Sequence, residues 1–147
     1  VGLAKRGMPI DVDVVEEDLP KWVRRYREKG GPPECLTVSS DASLTSPRLL
    51  YEQLRSCVRE HGMPLKDVLA LATRNTARVL KLNQKGALEK GRVGDVLIME
   101  QGSWEVVHVL SRGMAMVRDG ELVKEESFLE KSNRVIRLTG RKDDAED

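Results

Sequence analysis

Two strand patterns on either side of a helical stripe fit within about thirty residues, and that spacing leaves little choice of topology. Pro9-Ile10-Asp11-Val12-Asp13-Val14-Val15 alternates apolar with acidic residues at period two, the pattern of a strand with one apolar and one polar face. Leu36-Thr37-Val38-Ser39-Ser40 is a second strand pattern, rich in β-branched residues, and it runs into Asp41. Between them, Glu16-Glu17-Asp18-Leu19-Pro20 sets acids and a proline where a helix begins, which suits the positive end of the helix dipole and a position needing no N–H donor. Leu19, Trp22, Val23 and Tyr26 recur at i, i+3, i+4 and i+7 and are expected to form the buried stripe. Lys29 then precedes Gly30-Gly31 and Pro32-Pro33, a stop signal. A unit this short requires parallel strands joined by a right-handed crossover. The strand ends near Asp13 and Asp41 should therefore lie on the same edge.

The stretch Ser39-Ser40-Asp41-Ala42-Ser43-Leu44-Thr45-Ser46-Pro47 leaves the second strand through a polar loop into a helix. In a barrel of parallel strands with outer helices, catalytic groups project from the C-terminal ends of the strands, which makes Asp41 the candidate catalytic residue. The plainer reading of Asp41 is a loop or cap carboxylate. Asp11 and Asp13 divide in the same way, between carboxylates facing a barrel interior and the wet side of a sheet. Downstream, Ser46 is a good N-cap for Pro47, and Leu50, Leu54, Cys57, Val58 and His61 are expected to face one way before Gly62 ends the helix. A second helix starts at Pro64 with Leu65, Val68, Leu69 and Ala72 at helical spacing. A third runs from about Arg74 to Leu82, capped by Thr73, with Ala77 and Leu80 inward and Arg74, Asn75 and Arg78 exposed. Ahead of all these, Val1 to Met8 reads as the last turns of a helix already under way, as if the chain were a piece of something longer.

The character changes at Lys85-Gly86. Gly86, Gly91 and Gly94 punctuate short segments, Val96-Leu97-Ile98-Met99 reads as a buried strand, and Trp104 to Leu110 as another. Met114 to Val123 carries Asp119-Gly120, the signal of a type I′ hairpin. Glu125 to Lys131 reads as a helical turn, Arg134 to Leu138 as an edge strand and Arg141 to Asp147 as a charged, disordered tail.

Composition removes several classes of function. With 25 basic and 24 acidic residues the net charge is +1, so no global field favours nucleic acid or an anionic membrane. No apolar run approaches the roughly 20 residues of a membrane helix. Aromatic residues are only 3% of the chain, so the core must be aliphatic. Two cysteines, Cys35 and Cys57, make no disulfide framework and read as buried reduced thiols of a cytoplasmic protein. The chain has no phosphate-cradling glycine loop, cysteine pair, Ser nucleophile elbow or zinc-helix histidine pair. His61 and His108 are its only imidazoles, and both read as structural.

The order of four motifs resembles the C-terminal portion of the metal-dependent amidohydrolase superfamily. They are the strand ending in Ser-Ser-Asp, the helical segment Thr73-Arg74-Asn75-Thr76-Ala77-Arg78-Val79-Leu80, then Gly91-Arg92-Val93-Gly94-Asp95-Val96-Leu97-Ile98, and Gly113-Met114-Ala115-Met116-Val117-Arg118-Asp119-Gly120. Within it, Pro9 to Asp13 and Leu36 to Asp41 are similar to the isoaspartyl (β-aspartyl) dipeptidase branch. The resemblance implies an α/β fold: the C-terminal part of a TIM-type barrel, comprising the last two βα units and a helical cover, over residues 1–85. Part of a small antiparallel β-sandwich domain would follow over 86–139, with a tail at 140–147. It implies a zinc metalloprotease-like hydrolase in which Asp41 is the catalytic carboxylate beside a binuclear zinc centre, while Thr45 and Ser43 supply hydroxyls that bind a small peptide substrate. It further implies a homo-oligomer for the complete protein and no nucleic-acid or membrane partner. Ala42 stands where that branch usually has Gly, and the family's paired histidines, bridging lysine or glutamate and two later histidines are not in this sequence. By itself the chain is therefore expected to bind no zinc and to be inactive. Other classes compatible with the same residues are a non-catalytic scaffold or binding module on this fold, a dihydropyrimidinase-like hydrolase and an amino-sugar deacetylase.

Overall fold

Ile10–Asp13 (β1) and Leu36–Ser39 (β2) pair in parallel, in the register Ile10↔Leu36, Asp11↔Thr37, Val12↔Val38 and Asp13↔Ser39. Apolar residues therefore face apolar ones and polar face polar across the pair, because period-two alternation is in phase in the two strands. The computed structural model describes residues 1–15, 18–42 and 46–124. The chain divides into two compact units, Val1–Ala87 and Leu88–Asp147. The expected helical turn at 125–131, edge strand at 134–138 and tail at 140–147 lie outside the described residues. The helix expected under way at Val1 is a short 3₁₀ turn, Ala4–Arg6, closed by Gly7 at φ +85°.

Leu19–Glu28 (α1) crosses between the two strands and buries Leu19, Pro20, Val23 and Tyr26. Trp22, expected in that stripe, is 40% exposed. Its position lies at the edge of the apolar arc, and its indole is held outside: Nε1 donates to the Asp18 carboxylate, and the Lys21 ammonium sits 5.1 Å from the ring centroid. The helix stops where Gly30 takes φ +68°. Gly31 follows with no room for a side chain, since a Cβ there would lie 2.4 Å from the Tyr26 ring. The Tyr26 hydroxyl donates to Pro32 O at 2.9 Å, fastening the turn.

Pro47–Arg59 (α2), Leu65–Ala72 (α3) and Arg74–Val79 (α4) cover β2 and α1. Ser46 caps α2 as expected, its hydroxyl accepting from Arg48 N at 3.2 Å. The core joins Leu36, Val38, Leu19, Val23, Leu54, Cys57, Val68 and Leu71, and each of its Leu and Val side chains contributes roughly 1.5–3 kcal/mol of transfer free energy when fully buried. Several expectations about these helices do not hold. Leu65 is 47% and Leu80 61% exposed, while Leu71 is buried in their place. Short helices of eight and six residues turn too little for a periodic count to fix the inward face. Thr73 does not cap α4; its hydroxyl donates back to Leu69 O at 2.6 Å. His61 is exposed, 3.5 Å from the Arg24 guanidinium. Asn75, expected on the surface, is 4% exposed.

In the second unit Val96–Met99 (β3), Val106–Ser111 (β4), Met114–Arg118 (β5) and Glu121–Leu122 (β6) form one antiparallel sheet in sequence order. The Asp119-Gly120 turn has φ of +52° and +79°, as a type I′ turn requires. Arg112-Gly113, with φ of +51° and +78°, makes a second turn of the same hand between β4 and β5. Val96 to Met99 is not the buried strand its run of four apolar residues suggested. Leu97 is 51% and Ile98 44% exposed, because the described residues of this unit lay no second layer over the sheet.

Candidate active site

The polar rows of the β1–β2 pair converge at its C-terminal edge. Asp11 and Asp13 are i, i+2 neighbours and so share a face, opposite Thr37 and Ser39 on the adjoining strand. The Thr37 hydroxyl donates to the Asp11 carboxylate, and the Ser39 hydroxyl is hydrogen-bonded to the carboxylates of both Asp11 and Asp13. Thr37 is buried while the two aspartates are exposed. Val14 N donates to Ser39 O at 2.9 Å, carrying the pairing one residue past β1. Two residues beyond the end of β2 comes Asp41, half-buried, with its backbone at φ +42°. Asp and Asn are the non-glycine residues that enter this left-handed region most readily. The strands thus end level with each other, and Asp41 follows at that shared edge, as the strand–helix–strand spacing predicts. Ser43 and Thr45 lie outside the described residues.

A half-buried carboxylate at a strand end can accept a proton from water and return it. Neither Cys57 nor Tyr26 is activated as a nucleophile. Burial pushes the Cys57 thiol up to about 11, with the Arg27 charge pulling the other way, so it is no thiolate at neutral pH. Burial likewise raises the Tyr26 phenol, helped by Cys35 and Glu34. In β4, His108 Nδ1 accepts from Asp119 N–H at 3.3 Å. A zinc site draws three or four donors from the protein. Among the described residues no group of three His, Cys, Asp or Glu side chains comes together. They do not by themselves fit a zinc centre.

Asn75 is a buried polar residue that the sequence pattern does not mark. Its Nδ2 donates to Pro33 O at 2.9 Å and Leu36 O at 2.8 Å, tying α4 to the start of β2. Arg78 adds a hydrogen bond to Glu34 O. The available signal was the type of residue: Asn is a poor choice inside a helix unless its amide has a partner. Gln53 is similar, buried on α2 with Oε1 accepting from Leu19 N at 3.3 Å.

Residues 13–136 match the amidohydrolase family. The chain belongs to that family. This amidohydrolase chain superposes on the crystal structure of β-aspartyl dipeptidase from Fervidobacterium islandicum AW-1 with a TM-score of 0.75 and 32% identity, covering 86% of this chain and 36% of that one. A second structure of that enzyme, in complex with the β-Asp-Leu dipeptide, gives a TM-score of 0.76 and 29% identity over 86% of this chain and 38% of that one. An amidohydrolase from Thermotoga maritima MSB8 matches at 20% identity and a TM-score of 0.62, over 80% of this chain and 33% of that one, a likeness of fold alone. No curated protein sequence matches the chain. The chain spans just over a third of the length of the dipeptidases it resembles. Family membership carries the TIM-barrel fold, and β1–α1–β2 is an instance of that fold's repeating unit. No described helix is long and apolar enough to cross a membrane.

Proposed function

We propose that this chain is the C-terminal part of a zinc-dependent amidohydrolase that cleaves isoaspartyl (β-aspartyl) dipeptides. On this reading β1 and β2 are the barrel's last two strands within residues 1–85, and β3 to β6 belong to a small β-sandwich within 86–139. The observation that carries the reading is the combination of 32% identity to a β-aspartyl dipeptidase with a carboxylate, Asp41, just past the level ends of two parallel strands. Asp41 acts as general base and then general acid: it takes a proton from the water that attacks the amide carbonyl, and delivers it to the leaving amine nitrogen as the C–N bond breaks. Asp11, Asp13, Thr37 and Ser39 hold the edge on which it stands. Thr45 and Ser43, in the loop that follows, bind the peptide through their hydroxyls. The binuclear zinc centre draws its donors from outside the described residues, so the chain alone is inactive. The complete protein is a cytoplasmic homo-oligomer acting on small peptides.

The test is Asp41→Asn in the complete zinc-loaded enzyme, with β-Asp-Leu as substrate. Turnover should fall about 10²–10⁴-fold, the usual range for a lost general base, while zinc content stays unchanged. Undiminished hydrolysis by that variant would overturn the role of Asp41. Hydrolysis by the 147-residue chain alone would overturn its dependence on other donors. A complete protein that neither holds zinc nor cleaves the dipeptide would instead be the scaffold-type relative.

A further inference from the structure

We propose that a cavity of about 120 Å³ at the start of β2 is a binding site for a small zwitterion, the class to which free α-amino acids belong. Pro33 and Leu36 line it, so it opens at the opposite end of β2 from Asp41 and is separate from the candidate active site. Four charged side chains reach its wall. Arg27 and Asp67 are paired at 3.4 Å and neutralise each other. The remaining two, Arg74 and Glu34, form no ion pair among the described residues. Beside them Asn75 is 4% exposed; its Nδ2 is committed to Pro33 O and Leu36 O, and its Oδ1 receives no donor from the described residues.

A buried amide oxygen without a donor is the kind of group that a bound molecule satisfies. The wall thus offers one unmatched cation, one unmatched anion and one orphan acceptor. A simple anion would answer Arg74 and leave Glu34 and Asn75 as they are; a simple cation would do the reverse. An ammonium group supplies the donors that Glu34 and Asn75 Oδ1 lack, and a carboxylate on the same molecule supplies the acceptor that Arg74 lacks. Leu71 closes the wall with apolar surface. The volume suits a solute several times larger than a water, whose share of the liquid is roughly 30 Å³, which selects a small side chain such as that of alanine. The site is independent of the hydrolytic reading, since no part of it touches Asp41.

Equilibrium dialysis of radiolabelled alanine against the 147-residue chain tests the proposal. Saturable binding with a dissociation constant in the millimolar range or tighter is expected, with acetate and methylammonium competing at least about tenfold more weakly than unlabelled alanine. Arg74→Ala and Glu34→Gln change exposed side chains, so circular dichroism should show both folded, and each should weaken binding at least about tenfold. No saturable binding at millimolar alanine would overturn the proposal. So would acetate competing as well as alanine, which would mean an anion site only, or folded variants that bind as tightly as the parent.

Discussion

Asn75 and Cys57 mark what side chains in this molecule do once packing has fixed them. The Asn75 carboxamide serves two main-chain carbonyls, Pro33 O and Leu36 O, that the start of β2 would otherwise leave without these donors. Asn75→Ala should therefore destabilise the fold by about 1–3 kcal/mol, the cost of losing two hydrogen bonds, that to Leu36 O being buried, read from the midpoint of urea denaturation. Its residue type is the one local hint in the sequence; that Asn75, and not Arg74 or Arg78, turns inward is decided by contact with β2, remote in sequence. Cys57 was legible as a buried thiol, since it shares a helix face with Leu54. Burial raises its pKa from 9.0 to about 11. Because the folded value lies above the unfolded one, the native state holds the proton more tightly. That contribution is whole below about pH 9 and is lost as pH rises through about 11. Stability should thus decline more steeply between those limits in the parent than in Cys57→Ala. At pH 8 a thiol reagent should modify Cys57 only after urea unfolds the chain.

At the scale of elements, what could be read was what local chemistry decides. The strand–helix–strand unit follows from one alternating pattern, one β-branched run and the short spacing between them, and the register sets Ile10 and Val12 against Leu36 and Val38. The Asp119-Gly120 hairpin followed from residues able to take positive φ. Ends of elements followed from caps: Ser46 for α2, and the glycines after α1. Gly31 shows how tight such a stop can be. Its missing Cβ is the space occupied by the Tyr26 ring, so Gly31→Ala must displace that ring and the hydrogen bond from its hydroxyl to Pro32. A loss of about 1–3 kcal/mol is expected, as for other overpacked sites, with thermal melting as the measurement. Trp22, Leu65 and Leu80 could not be read correctly because a helical stripe states which residues share a face but not how wide the buried arc is. The candidate site was legible to the same limited degree. Asp41 stands out as a carboxylate at a strand end, while the role proposed for it rests on family resemblance, not on periodicity.

For the molecule as a whole, the decisive quantity is how much backbone and apolar surface the described residues leave uncovered. β1 and β2 form a two-stranded parallel sheet, and among the described residues neither outer edge is paired. Parallel strands are ordinarily found in larger sheets covered on both faces, and an open edge is a template for another strand. The β3–β6 sheet adds exposed Leu97, Ile98, Met114 and Leu122. The run from Val96 to Met99 reads as buried because an apolar sequence shows that a strand seeks cover without showing what supplies it. These two features act in the same direction, since edge pairing and apolar contact both reward association of one chain with another. The isolated chain should therefore self-associate, with a sedimentation coefficient that rises with concentration. Ile98→Lys, which places a charge on the exposed sheet, should shift that rise to higher concentration, whereas a lysine at the already exposed Leu3, outside both sheets, should not. A monodisperse monomer with one cooperative melting transition would mean that the uncovered edges and faces are satisfied within the chain itself, and the proposal of an incomplete barrel would fall with that result.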